Sequence, residues 1–225
     1  MTTYALVPGA GTDSWYWGPV ARRLAVLGHR ALPVDLPCDD DGAGLDDYAD
    51  AVADAVQADG PVDDLVVVGH SFGGFTAPLV CDRLDVRELV LVTAMVPVPG
   101  ESGAGWWTAT GHDTALAEHT ARFGLDPDDV IALFYHDVAE RTANEALRHE
   151  RPQSVAAFEQ PWPRVRWPEV RTRFLLCRED RFLPPSLMRT VVARRLRGVV
   201  PEMVPGAHHP MLSHPVELAA ALTAG

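Results

Sequence analysis

The sequence predicts an α/β fold: a doubly wound, mostly parallel six-stranded sheet with helices on both faces and a helical lid insertion. Three observations lead there. Six short runs rich in Val or Leu lack the apolar–polar alternation of a half-exposed strand, as strands covered on both faces do. Helix-period stretches separate most of them, and strands that alternate with helices make a parallel sheet. The alternation then breaks between about residues 96 and 167, where only helical patterns and prolines occur.

Along the chain, Tyr4–Val7 is the first strand. Pro19–Leu27 follows as a helix with Val20, Leu24 and Leu27 on one side and Gly28 as its stop. Ala31–Val34 is the second strand. In Leu45–Gln57, residues Leu45, Tyr48, Ala49, Val52 and Val56 form one stripe, ending at Gly60-Pro61. Leu65–Val68 is the third strand; the helix after it contains Pro78, which removes a hydrogen bond and is expected to kink it. Leu89–Thr93 is the fourth strand. Pro97, Pro99 and Gly100 open the interrupted region, and Trp106-Trp107 follows. Helical patterns then occur at Thr114–Arg122, Asp128–Tyr135 and Ala139–Arg148, and Pro161, Pro163 and Pro168 close the region. Arg173–Cys177 and Val199–Val204 are the last strands. Pro185–Leu196 and Pro215–Leu222 are helices with proline in the first turn. The domain reading is a core of residues 1–96 and 168–225 with a cap over 97–167; ordinary crossover helices are the alternative for that segment.

Composition narrows the function. The chain has 225 residues, enough for one domain with a sizeable core. It carries 31 acidic and 19 basic residues, a net charge of −12, so a phosphate backbone is repelled and nucleic acid is not an expected partner. No 18-residue apolar run exists, so no membrane span is expected. The start of the sequence lacks a basic n-region, and a cytoplasmic location is expected. Cys38, Cys81 and Cys177 are odd in number and widely spaced, which suits reduced thiols. No His/Cys/Asp cluster has metal-ligand spacing, so neither metal nor cofactor is expected.

The chemistry is concentrated in Gly69-His70-Ser71-Phe72-Gly73, a Gly-x-Ser-x-Gly run after a buried strand and before a helix. Such a turn lifts the serine hydroxyl above the sheet, and its glycines let strand and helix approach closely. The Phe72 N–H then points where an oxyanion develops, and a second donor is expected from the small-residue loop Pro8–Asp13, from Ala10 or Gly11. A dinucleotide reading of that loop fails because position 14 is Ser14 where Gly-x-Gly-x-x-Gly needs glycine. A serine nucleophile needs a base, and the base an orienting acid. After the fifth strand Asp180 and Glu179 compete for the acid; after the sixth, His208 and His209 compete for the base. His70 is read as packing beside the serine.

With these residues in place, the sequence resembles the alpha/beta-hydrolase superfamily, as a bacterial member near the plant hydroxynitrile lyase and methylesterase branch. The likeness is carried by Leu6–Gly11 with Trp15 and Trp17, by Gly69–Gly74 with Thr76–Val80, by Leu89–Ser102, by Phe134–Asp137, by Arg151–Gln153, by Glu179–Pro185 and by His208–Pro215. It implies Asp180 as the acid, His208 as the base, and Ala10 and Phe72 as oxyanion donors. It also implies a six-stranded sheet that is mostly or wholly parallel. Two departures matter. Esterases of the branch begin the oxyanion loop with His-Gly, where this chain has Pro8-Gly9. Its cyanohydrin lyases use a threonine in that loop and a lysine after the histidine, where this chain has Gly9 and His209, so cyanohydrin cleavage is not expected.

The expected function is hydrolysis of a small, fairly apolar carboxylic ester, lactone or thioester through a Ser71–His208–Asp180 triad and an acyl-enzyme. The substrate is expected against Gly11, Trp106, Trp107, Phe134, Tyr135 and His136, with Trp162 in the same wall and Asp137 as a further polar group. The alternatives are a secondary-metabolite cyclase or lyase that uses the same pocket for proton transfer, and a small-molecule receptor. A homodimer is left open.

Overall fold

The computed structural model describes residues 1–225. In chain order the elements are β1 (Thr3–Val7), α1 (Gly18–Val26), β2 (Arg30–Pro33), α2 (Leu45–Ala58), β3 (Leu65–His70), α3 (Gly73–Val80) and β4 (Glu88–Val92). Then come α4 (Gly103–Thr110), α5 (His112–Phe123), α6 (Val130–Phe134), α7 (Glu140–Ala146) and α8 (Val155–Glu159), with no strand among them. The chain closes with β5 (Arg171–Cys177), α9 (Pro185–Arg195), β6 (Glu202–Val204), α10 (Pro210–Ser213) and α11 (Pro215–Thr223).

The strands form one sheet in the order β2-β1-β3-β4-β5-β6, and every pairing is parallel. Each strand feeds both faces with apolar side chains. Ala5, Val7, Val67, Leu89 and Leu91 pack into the larger core; Tyr4, Leu6, Val66, Val68 and Val90 pack into the smaller one on the other side. That double covering is the physical reason for unbroken Val/Leu runs. The strand order reverses at β1, whose neighbours are β2 and β3. In open α/β sheets the crevice beyond the carboxyl ends at such a point holds ligands. Val7 pairs with Gly69, so the turn after β1 lies beside the turn after β3.

The predicted strands and long helices match in place and type, except that Val199–Val204 is a strand only over Glu202–Val204. The structure adds α4, α8 and α10, which the sequence pattern does not announce. Helix α4 is Gly- and Thr-rich; the Ser102 hydroxyl caps it by accepting from the Gly105 N–H (3.0 Å), and Gly111 closes it at φ 74°. The pattern at Asp128–Tyr135 starts as a helix only at Val130, because Asp129 is the cap and accepts from the Ala132 N–H (2.9 Å). Helix α3 stops two residues after Pro78, with all eight of its residues buried. The segment into α4 is anchored by Arg195 of α9, which donates to both Glu101 oxygens and to the Val96 carbonyl. No helix is long and apolar enough to cross a membrane.

Candidate active site

Four turns at the carboxyl edge supply the site. The β3–α3 turn holds Ser71 at φ 50°, in the left-handed region that non-glycine residues rarely occupy. Its carbonyl accepts from the N–H groups of Gly74 (3.1 Å) and Met95 (2.9 Å), which pins the turn. The flanking glycines are sterically required. A Cβ at Gly69 would lie 2.8 Å from the Gly73 carbonyl oxygen, and one at Gly73 would lie 2.6 Å from that of Pro8.

Asp180 follows β5 and is fully buried; His208 follows β6 and is nearly so. His208 Nε2 lies 3.1 Å from Ser71 Oγ, and His208 Nδ1 lies 2.9 Å from Asp180 Oδ2. The same Asp180 oxygen accepts from the Thr93 hydroxyl (2.5 Å), and Oδ1 accepts from the N–H groups of Phe182 (3.0 Å) and Leu183 (2.9 Å). Burial alone would raise the Asp180 carboxyl. The His208 imidazole and these hydrogen bonds outweigh it and hold the group below the usual carboxylate range. Asp180 is therefore a carboxylate facing one imidazole nitrogen. The open alternatives separate geometrically. Glu179 is exposed and accepts from the Gly206 N–H (2.8 Å), bracing the turn that carries His208. The nitrogen facing Ser71 belongs to His208, not His209.

His70 packs beside the serine and also does something the sequence did not reveal. Its Nε2–H donates to the His208 carbonyl (2.7 Å). Burial, and then the neighbouring His208, push its pKa down to about 3, so the ring stays neutral and keeps that donor in place. Asp137 braces the same turn, accepting from the Ala207 N–H (2.8 Å).

The turn after β1 has its own clamp. The Gly11 N–H donates to Gln153 Oε1 (3.1 Å), and the Gly11 carbonyl accepts from the Arg151 N–H (2.8 Å). Gln153 is in turn bonded to the Tyr48 hydroxyl (2.9 Å). Gly11 is thereby committed, whereas the N–H groups of Ala10 and Phe72 donate to no group of the protein. The sequence pattern Arg151-Pro-Gln153 was visible, but nothing in it told that its role is to hold a turn 140 residues earlier (Gly11 to Gln153 spans 142).

Above Ser71 lies a cavity of about 360 Å³, within the range of small-molecule sites. Gly11, Trp107, Phe134 and Tyr135 line it, together with Phe158 and Phe182. Phe134 sits 4.3 Å from Phe182 and edge-on to His208 at 5.1 Å, ring centre to ring centre. Three expectations are corrected. Trp106 does not reach the cavity: it is fully buried in the larger core, where its indole N–H donates to the Val96 carbonyl (3.1 Å). His136 lies off the cavity as well, because Phe134 and Tyr135 take the inward positions at the end of α6. Trp162 is likewise core, its indole N–H bonded to the Phe75 carbonyl (3.1 Å).

A model of the alpha/beta hydrolase family matches residues 5–221, nearly the whole chain. The chain belongs to the alpha/beta hydrolase family. Among proteins similar to this family member is a carbendazim hydrolyzing esterase from Nocardioides sp., 31% identical over 182 residues, covering 72% of this chain and 73% of that protein. Norfluorocurarine synthase 2 from Strychnos sp. is 24% identical over 96% of this chain and 91% of its own length. Among solved structures, polyneuridine aldehyde esterase superposes with a TM-score of 0.80 at 21% identity, covering 99% and 98% of the two chains. A pyrethroid hydrolase from Sphingobium faniae JZ-2 gives 0.75 at 20% identity, covering 98% and 95%. At these identities the two structures speak for the fold alone.

Proposed function

We propose that this alpha/beta hydrolase cleaves a small, fairly apolar carboxylic ester, lactone or thioester through an acyl-enzyme on Ser71. The observation that carries the reading is the hydrogen-bonded line Ser71 Oγ–His208–Asp180 opening on an aromatic cavity. Relatives named esterases, such as the Nocardioides protein, are consistent with it.

In this mechanism His208 Nε2 takes the Ser71 proton as Oγ attacks the ester carbonyl. Asp180, kept ionised, holds the Nδ1–H and offsets the charge that appears on the ring. The carbonyl oxygen becomes an oxyanion between the Ala10 and Phe72 N–H groups, which have no competing acceptor. Each such donor is worth about 3 kcal/mol to the transition state. His208 then gives its proton to the leaving alcohol or thiol, deprotonates a water that attacks the acyl-enzyme, and returns the proton to Ser71. Helices α4–α8 act as a cap: they supply Trp107, Phe134 and Tyr135 to the cavity, which keeps the developing charge away from bulk water.

The test is turnover of 4-nitrophenyl acetate and butyrate. The wild type is expected to release nitrophenol with a burst, and Ser71→Ala and His208→Ala to abolish it. A second reading, in which Ser71 only moves protons in a rearrangement or lyase step, draws on the similarity to a relative named a synthase. Turnover of a substrate that survives Ser71→Ala would favour it over ester cleavage.

A further inference from the structure

The polar side chains that line the cavity are almost all committed within the protein. The Thr12 hydroxyl donates to the Gly9 carbonyl (3.1 Å). The Tyr135 hydroxyl is bonded to that of Tyr16 (2.9 Å) and to Glu150 (3.3 Å). The Arg151 guanidinium serves the Leu36 carbonyl (2.9 Å) and Asp39 (2.6 Å). Ser71 and His208 hold each other, and the one N–H of neutral His70 is spent on the His208 carbonyl.

Among the buried polar side chains of the lining, His209 is the exception. It is 4% exposed and lines the cavity, and neither of its ring nitrogens has a partner in the protein. Its Nδ1 is sealed from solvent. A neutral imidazole carries one N–H and one lone pair, and an N–H sealed without an acceptor is the rarer and costlier arrangement. The proton therefore sits on Nε2, the nitrogen that opens onto the cavity. The ring cannot turn away: it is stacked on Tyr135 (4.8 Å between centres, 28° between planes) and flanked by Tyr16 at 5.2 Å. Burial, with His208 and His70 close by, pushes its pKa well below the ordinary histidine value, so it is an uncharged donor. Its ring centre is 5.3 Å from that of His208, so an ester bound for attack by Ser71 reaches it within a few bonds of the scissile carbonyl.

We propose that the His209 Nε2–H is the substrate-orienting donor of this cavity, and that it selects esters carrying a second hydrogen-bond acceptor, an ether, hydroxyl or carbonyl oxygen, a few bonds from the scissile carbonyl. This deepens the ester-hydrolase reading and rests on it. A hydrocarbon placed there leaves the N–H unmet in an apolar wall, and a site built to hydrogen-bond a group discriminates against the analogue that lacks it.

The experiment measures binding without turnover, in the Ser71→Ala protein, using two isosteric pairs. One pair varies the acyl side, 4-nitrophenyl methoxyacetate against 4-nitrophenyl butyrate; the other varies the alcohol side, 2-methoxyethyl benzoate against butyl benzoate. Calorimetry is expected to show the oxygenated member of at least one pair binding about fivefold or more tightly. His209→Leu added to Ser71→Ala erases that ratio, and His209→Gln, which keeps a donor, retains part of it. Ratios that are the same with and without His209 for both pairs overturn the proposal. Should His209→Leu fail to fold, nitrogen-15 histidine spectra of Ser71→Ala replace it. The His209 Nε2–H resonance shifts with the oxygenated ester and not with its hydrocarbon partner; equal response to both overturns the proposal. Turnover of the same esters by wild type is read separately. Selective binding without hydrolysis removes the hydrolase reading and leaves the donor, whereas hydrolysis without selectivity removes the donor alone.

Discussion

The turns that carry the proposed reacting groups and the segment of residues 97–167 that walls the cavity are built on opposite principles. In the turns, Ser71, Asp180 and His208 are each held by backbone or side-chain hydrogen bonds and are 9%, 0% and 2% exposed. In the wall, helices α6, α7 and α8 span only five to seven residues, and Phe123, Val130, Ile131 and Val155 stand exposed. The contrast teaches that the proposed chemistry would depend on backbone geometry common to a strand–turn–helix unit. Selectivity would then depend on side chains whose inward or outward direction is set by local packing.

The strongest way to break that comparison is to leave the turn geometry intact and change one charge. Asp180→Asn keeps its acceptors for the Phe182 and Leu183 N–H groups but removes the carboxylate that fixes the His208 tautomer. It is expected to lower kcat on a nitrophenyl ester about ten-thousandfold. Glu179→Gln, one residue earlier and exposed, is expected to cost less than about threefold. Equal losses would mean that the turn as a whole matters and not the carboxylate facing Nδ1.

That asymmetry is also where the sequence was most legible. The six strands and the elbow rest on periodicity and glycine placement, both local properties, and the fold agrees with them. Choosing Asp180 over Glu179 or His208 over His209 was beyond spacing alone, because adjacent residues differ only in direction; the family resemblance chose the members that the structure places in line. The wall was half legible. Phe134, Tyr135 and Trp107 face the cavity while Trp106 and His136, their immediate neighbours, do not. Short helices give no period from which to read a side. The clamp from Gln153 to Gly11 was illegible because it joins residues far apart in sequence.

The clamp gives the next effect in size. Gln153→Leu removes the acceptor of the Gly11 N–H and frees the turn that presents the Ala10 N–H. The expected result is a loss of about tenfold to a hundredfold in kcat, with KM changed much less. Unchanged kcat would show that the turn after β1 is rigid without help from the inserted segment, and the two regions would then be more independent than the hydrogen bonds imply.

Acid stability probes the turns without any substrate. His70 titrates at about 3 in the folded state against an ordinary 6.5, so between those values the unfolded chain holds a proton that the native one lacks. Stability therefore rises with pH across this window and falls on acidification. From pH 7 to pH 5 this group alone removes about 2 kcal/mol. His209, also lowered, acts in the same direction. Urea denaturation at the two pH values should show a smaller difference for His70→Gln than for wild type. An identical difference would mean that the native His70 is as easily protonated as a solvated one.

The smallest effect is expected in the wall and sharpens the comparison from the other side. Trp107 is half-buried and borders the cavity against Phe158 and Phe182, with ring centres 6.2 and 5.6 Å away. Trp107→Ala opens the wall without touching Ser71, His208 or Asp180. Part of the apolar contact with the acyl or alcohol chain is lost in ground state and transition state alike, which raises KM about fivefold for a butyrate ester and leaves kcat within about threefold. A matching fall in kcat with KM unchanged would place Trp107 among the groups that position the reacting atoms. The division between a fixed chemical edge and an adjustable wall would then have to be redrawn to include α4.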